Sequence, residues 1–270
     1  MTDHWIDRGD VTIHARTDGP EDGGAPALVF SGSLGTDLSL WDPIMPYLPE
    51  GLRIVRIDTR GHGQSSVPPA PYQMGTLVSD TEAVFDALEI REAVMVGLSL
   101  GGMIAQALAV KRLDLLRGLV ISNTAAKIGT PQLWEDRIAA IRADGLESMA
   151  DPILERWFSR AFLDSPESEP WRQLLLATPV EGYLGCCAAI AGTDLMTPTS
   201  GLRLPTLAIA GSEDGATPPD LVRETADLIP GSQFELIRRA GHLPCVEAPE
   251  AYAELLTRFM RRIGHLPGQQ

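Results

Sequence analysis

Residues 97–101 read Gly97-Leu98-Ser99-Leu100-Gly101, a G-x-S-x-G pattern. A serine in this setting can act as a nucleophile in acyl transfer. It sits in a strained turn with other backbone packed closely against it, which is why small residues flank it. Its hydroxyl attacks poorly until a base takes its proton. The chain has five histidines. His242, in Ala240-Gly241-His242-Leu243-Pro244, follows the last predicted strand and is the expected base. His4 and His14 fall in an opening hairpin and His265 in the tail, where surface roles are expected. His62 falls in a polar loop and is a candidate for a pocket edge. The base needs a carboxylate to fix its tautomer and to stabilise the imidazolium. Gly211-Ser212-Glu213-Asp214-Gly215 supplies it, with Asp214 the expected acid and Glu213 the alternative. An oxyanion needs two backbone donors. The amide of Leu100, directly after the nucleophile, is one. The amide of Ser33, in Ser31-Gly32-Ser33, is the expected second.

These residues serve only if the fold brings strand ends together. Residues 4–8 and 10–16 alternate weakly around Gly9-Asp10 and predict a hairpin. Short apolar runs at 27–30, 53–57, 93–97 and 116–122 predict buried parallel strands. Between and around them, 39–48, 76–89 and 101–112 predict helices. Strands alternating with helices predict a mostly parallel, eight-stranded α/β sheet covered on both faces. From about 130 to 197 the rhythm breaks into helical stretches, at 131–143, 147–159, 170–177 and 181–191. It resumes with a strand at 206–210, a helix at 218–229, a strand at 233–238 and a helix at 249–262. The expected organisation is therefore a core of 1–124 and 198–270 with a helical cap at 125–197. Ser33, Ser99, Asp214 and His242 all follow predicted strands, and ligands bind at that edge of such sheets.

Bulk properties narrow the function classes. The 270 residues suffice for one large α/β domain. A formal net charge of -14 argues against a nucleic-acid partner, because phosphate binding needs clustered Lys and Arg. It also gives an anionic substrate no long-range attraction, so a local Arg or Lys must bind any acid. No apolar run reaches the roughly 18 residues of a membrane span. The opening MTDHWIDRGD has no basic segment followed by an apolar one, so the expected location is cytoplasmic. Cys186, Cys187 and Cys245 are odd in number and lack CxxC spacing, which predicts buried thiols rather than a disulfide or zinc site.

With these residues in view, the chain resembles the 3-oxoadipate enol-lactonases of the α/β-hydrolase superfamily. The shared stretches are Asp58-Thr59-Arg60-Gly61-His62-Gly63, Gly97–Met103 and Asn123–Pro131, with Glu155-Arg156-Trp157-Phe158, Glu181-Gly182-Tyr183 and Cys186–Ile190 in the cap. Gly32 departs from the pattern, since Asn is expected between Ser31 and Ser33. The resemblance implies an α/β-hydrolase fold and hydrolysis of a small anionic lactone in aromatic degradation. It implies no metal and no organic cofactor. The substrate's free carboxylate would be bound by Arg137, with Trp134 beside the ring; three residues apart, they share one helix face. The plainer alternative pairs Arg137 with Glu135 or Asp136 and leaves Trp134 as packing. Arg60 and Asp58 are read as structural braces, and Trp157 and Phe158 as either pocket wall or cap core. Two other functions stay open: another esterase or lactonase with the same triad, and a binding protein on the same fold.

Overall fold

The computed structural model describes residues 1–21 and 24–266. Eight strands form one sheet in the order β1-β2-β4-β3-β5-β6-β7-β8. The hairpin β1 (Thr2–Asp7) and β2 (Thr12–Asp18) is antiparallel, and β2 runs antiparallel to β4 (Arg53–Ile57). From there the sheet is parallel through β3 (Ala27–Ser31), β5 (Ala93–Leu98), β6 (Leu116–Ser122), β7 (Thr206–Gly211) and β8 (Gln233–Ile237). Every residue of β3, β5 and β7 is buried. That is why these strands read as unbroken apolar runs: helices cover both faces, and no alternation survives. The outer strand β1 instead mixes exposed and partly buried residues, with none fully buried.

The crossovers are helical. A 3-10 segment, Leu38–Tyr47, follows β3; the two prolines inside it, Pro43 and Pro46, deny it a continuous α-helical ladder. Helices α1 (Met74–Ala87) and α2 (Leu100–Lys111) flank β5 and pack on each other. Helices α3 (Pro131–Asp144), α4 (Ala150–Trp157), α5 (Arg160–Leu163), α6 (Glu169–Ala177), α7 (Val180–Ala191) and α8 (Met196–Ser200) lie between β6 and β7 in the chain. The segment expected as a cap thus holds α3–α7, and α8 crosses its C-terminal bound. Helix α3 has a designed start: Pro131 stands at its first turn, and the Thr130 hydroxyl accepts from the Leu133 amide. It packs along α7 and buries Trp134 and Ile141. Helix α9 (Pro219–Asp227) packs on β7 and β8. The short α10 (Pro244–Glu247) leads into α11 (Pro249–Arg262), which packs on the 3-10 segment. Among the described residues, no single helix is long and apolar enough to cross a membrane.

The register aligns the strand ends. Ser31 pairs with Gly97, Leu98 with Ser122, Ser122 with Ile209, and Gly211 with Ile237. Loops leaving these ends must therefore meet at one edge of the sheet, beneath the helical insertion.

Candidate active site

Ser99 joins β5 to α2 with φ +57° and ψ -115°, a conformation that a residue with a Cβ rarely adopts. The neighbouring backbone over-determines it. The Ser99 amide donates to Ser122 O at 3.0 Å, and the Thr124 hydroxyl donates to Ser99 O at 2.6 Å. The flanking glycines are required by close approach. A Cβ on Gly97 would lie 2.2 Å from Gly101 O, and one on Gly101 would lie 2.1 Å from Ser31 O.

Asp214 and His242 come from the loops after β7 and β8. His242 Nδ1 donates to Asp214 Oδ2 at 2.9 Å, and both side chains are buried. Asp214 is saturated with donors. Oδ2 also accepts from Asn123 Nδ2 at 2.8 Å and the Thr217 hydroxyl at 2.9 Å, while Oδ1 accepts from the Ala216 and Thr217 amides. Burial would raise this carboxyl. Attraction to His242 and the hydrogen bonds from His242, Asn123 and Thr217 outweigh that, and hold it below the usual range. Glu213, the alternative acid, is exposed. With Nδ1 committed to Asp214, Nε2 is the ring nitrogen of His242 left for proton transfer. His242 and Ser99 line the same cavity.

The insertion is fastened to the loop that carries His242. Trp157 O accepts from the His242 amide at 2.7 Å. The approach is so close that a Cβ on Gly241 would lie 2.5 Å from Trp157 O. Glu247 ties the same parts together, accepting from the Gly241 amide at 2.7 Å and from the Ser159 amide and hydroxyl. Burial pushes its carboxyl above the usual value.

Two adjacent residues of the loop after β3, Ser33 and Leu34, line the cavity, and among the described residues neither amide has a protein acceptor. Among the described residues the Leu100 amide, at the N-terminus of α2 directly after Ser99, also has no protein acceptor, and there the helix dipole favours negative charge. Leu34 was not anticipated from the sequence; nothing in the residue types separates it from Ser33.

Arg137 and Trp134 also line the cavity, with the guanidinium 4.9 Å from the centre of the indole. Trp134 Nε1 donates to Ile128 O at 2.7 Å, which fixes the ring. Among the described residues Arg137 forms no carboxylate pair. Asp136 accepts from Gln132 instead, and the hydroxyl of the buried Tyr183 lies beside the guanidinium. A second guanidinium, Arg156, lines the same cavity. Tyr183 and Arg156 carry no distinguishing spacing; only the packing of α4 and α7 brings them here. Trp157 lines the cavity, whereas Phe158 stacks on Phe162 at 4.7 Å within the insertion. The three thiols are buried and free.

Three histidine expectations need correction. His14 is fully buried, because its ring bridges Asp58 and Asp3, 44 and 11 residues away in sequence. His265 is also buried and bonds Ala27 O. His62 is buried and does not line the cavity, with Nε2 accepting from the Gly35 amide. Arg60 pairs with buried Asp80, and Asp58 accepts from the Leu38 and Gln64 amides, so both brace loops.

The alpha/beta hydrolase fold family matches residues 26–249. The chain is 36% identical over 255 residues to 3-oxoadipate enol-lactonase 2 of Acinetobacter baylyi, spanning 94% of each protein. Crystal structures of two similar proteins superpose closely. One is a hydrolase from Pseudomonas aeruginosa PA01, with TM-score 0.90 and 37% identity over 96% of this chain and 98% of that one. The other is the enol-lactonase from Burkholderia xenovorans LB400, with TM-score 0.89 and 36% identity over 95% and 99%. A strand-end Ser, Asp and His beneath a helical insertion, matched over almost the full length of these relatives, make this chain a member of the α/β-hydrolase fold family and an ester-bond hydrolase of its enol-lactonase branch.

Proposed function

We propose that the chain opens the ring of 3-oxoadipate enol-lactone to give 3-oxoadipate, through an acyl-enzyme on Ser99. His242 Nε2 takes the hydroxyl proton as Ser99 Oγ attacks the lactone carbonyl. Asp214 keeps the other ring nitrogen protonated and stabilises the imidazolium. The tetrahedral oxyanion is held by the Leu100 amide together with the Ser33 amide or its neighbour Leu34. Collapse breaks the ring carbon–oxygen bond, and His242 returns its proton to the departing enol oxygen. Water, activated by His242, then hydrolyses the acyl-enzyme. The enol becomes the ketone. Every step uses groups of the chain and water.

The observation that carries this reading is Arg137. Its guanidinium lines the cavity of Ser99 and His242, stacks on Trp134 and lacks a carboxylate partner. In a chain of net charge -14, a guanidinium without a carboxylate partner in the cavity that holds Ser99 suits a substrate bearing its own carboxylate. The relatives named for enol-lactones support the same substrate. The test is turnover of the enol-lactone, generated in situ from muconolactone by its isomerase and followed by loss of ultraviolet absorbance. A higher kcat/KM for this lactone than for neutral aryl esters is expected. The reverse ranking would leave a serine esterase and remove the substrate.

A further inference from the structure

We infer that His62 is a positioning residue: its neutral, Nδ1-protonated ring holds the turn that carries Ser33 and Leu34, two cavity-lining residues whose amides lack a protein acceptor. The inference rests on the reading above, in which one of those amides helps hold the oxyanion. His62 does not line the cavity. It acts through Gly35, whose amide donates to His62 Nε2 at 3.0 Å. A ring nitrogen that accepts carries no proton, so the proton is on Nδ1, which donates to Arg60 O at 3.2 Å. The residue is 1% exposed, so water cannot replace either bond.

The rest of the turn is tied from the other side. The Thr36 amide and hydroxyl both donate to Ser33 O, at 3.2 and 2.8 Å. With the Ser33 carbonyl held by Thr36 and the Gly35 amide held by His62, the intervening backbone has little freedom. The one amide left between those two ties is that of Leu34, and the Ser33 amide directly precedes them; both residues line the cavity. The support under His62 is equally firm. Its own amide donates to Thr59 O at 2.9 Å, its carbonyl accepts from the Ser65 amide at 3.1 Å, and Arg60 is anchored to Asp80. Burial keeps the imidazole below the usual histidine range, against the opposing effect of the bond to Arg60 O and the pull of Asp58 and Asp37, which suits a ring that must stay neutral. Oxyanion donors contribute only when preorganised at the position the charge will occupy. A turn that loses its acceptor leaves the Gly35 N–H buried without a partner and lets the donors drift.

The experiment compares His62→Phe, which keeps a ring but offers no acceptor, with His62→Gln, whose amide oxygen can reach the Gly35 amide. Substrates are the enol-lactone and an aryl acetate. For His62→Phe the expected result is a fall in kcat of roughly tenfold or more, bounded by the roughly 10²- to 10³-fold cost of losing an oxyanion donor outright. KM stays within about twofold, because these donors act on the transition state. His62→Gln recovers most of the kcat. Equal kcat in wild type and a folded His62→Phe overturns the inference, as does a folded His62→Gln no better than His62→Phe. A measurement on the unaltered protein covers the case in which the variants misfold or wild type turns over neither substrate. Nitrogen-15 correlation spectra of labelled histidines must give His62 as the neutral Nδ1–H tautomer. An Nε2–H tautomer or an imidazolium sinks the inference. Absence of wild-type turnover sinks the functional reading instead, and the tautomer then decides the structural claim alone.

Discussion

Two buried histidine–aspartate pairs sit at opposite parts of this molecule, and only one stands beside a nucleophile. At the loops after β7 and β8, His242 Nδ1 meets Asp214 Oδ2 at 2.9 Å. Near the β1–β2 hairpin, His14 Nδ1 meets Asp58 Oδ2 at 2.7 Å. The bonds are alike; the far side of each ring is not. His14 Nε2 is occupied by Asp3 at 2.9 Å. His242 is left with Nε2 for the cavity it shares with Ser99. Each aspartate also serves backbone amides: Ala216 and Thr217 for Asp214, Leu38 and Gln64 for Asp58. The pair alone is therefore a brace. In the mechanism proposed here it becomes a base because one nitrogen is left unpaired and a hydroxyl stands in a strained turn beside it.

The same substitution in both pairs breaks the comparison most sharply. Asp214→Asn is expected to lower kcat by about 10⁴-fold, because an amide no longer holds the imidazole tautomer or stabilises the imidazolium. Asp58→Asn should leave kcat within a few-fold. Its loss is in unfolding free energy, by about 1–3 kcal/mol, as a buried charged acceptor is weakened. Steady-state kinetics and denaturant titration of both variants check this. A 10³-fold kinetic loss in Asp58→Asn would mean that the two pairs are not functionally distinct.

The cavity wall gives the next effect. Arg137→Ala should reduce kcat/KM for the enol-lactone by about 10- to 100-fold, the scale of one charge-assisted hydrogen-bonded contact. Hydrolysis of a neutral aryl ester should be nearly unchanged. Equal losses on both substrates would point to disturbed packing around Trp134 rather than to a lost carboxylate site.

The smallest effect concerns pH and stability. Burial drives His14 toward the neutral form, but its bonds to Asp58 and Asp3 prevail and raise its pKa above the usual 6.5. Asp3, held by Arg16 and His14, is lowered to about 2 and remains charged throughout the range that matters. A raised folded-state pKa stabilises the fold fully below the unfolded value and loses that contribution as pH rises through the folded value. The stability gap between wild type and His14→Gln should therefore be widest below about pH 6.5 and narrow at higher pH. Urea titrations at pH 5.5 and 8.5 measure it. A gap that widens with pH would reverse the assigned charge state.

What could be read from the sequence divides along the same line. The strands were legible because burial on both faces turns β3, β5 and β7 into plain apolar runs. The candidates Ser99 and Asp214 were legible because each follows such a run, and His242 because it follows the last strand, β8; a parallel sheet gathers those ends at one edge. His14 was misread because its burial depends on Asp58, a partner 44 residues on, and no local pattern encodes that contact. Asn123 shows the same limit. It donates to both Asp214 and Gly241 O, at separations of 91 and 118 residues. Its φ of +46° fits a residue type that tolerates the left-handed region, yet the sequence offers no hint of the partners. Tyr183 and Arg156 reach the cavity only through the packing of inserted helices, and the choice between the Ser33 and Leu34 amides depends on the path of one turn.

Covalent labelling tests the central claim most directly. Wild type, His14→Gln and His242→Gln are treated with a fluorophosphonate, and the modified peptide is mapped by mass spectrometry. The account predicts one adduct, on Ser99, formed at similar rates in wild type and His14→Gln and at a rate lower by orders of magnitude in His242→Gln. Labelling of another serine, or undiminished labelling of Ser99 without His242, would contradict it.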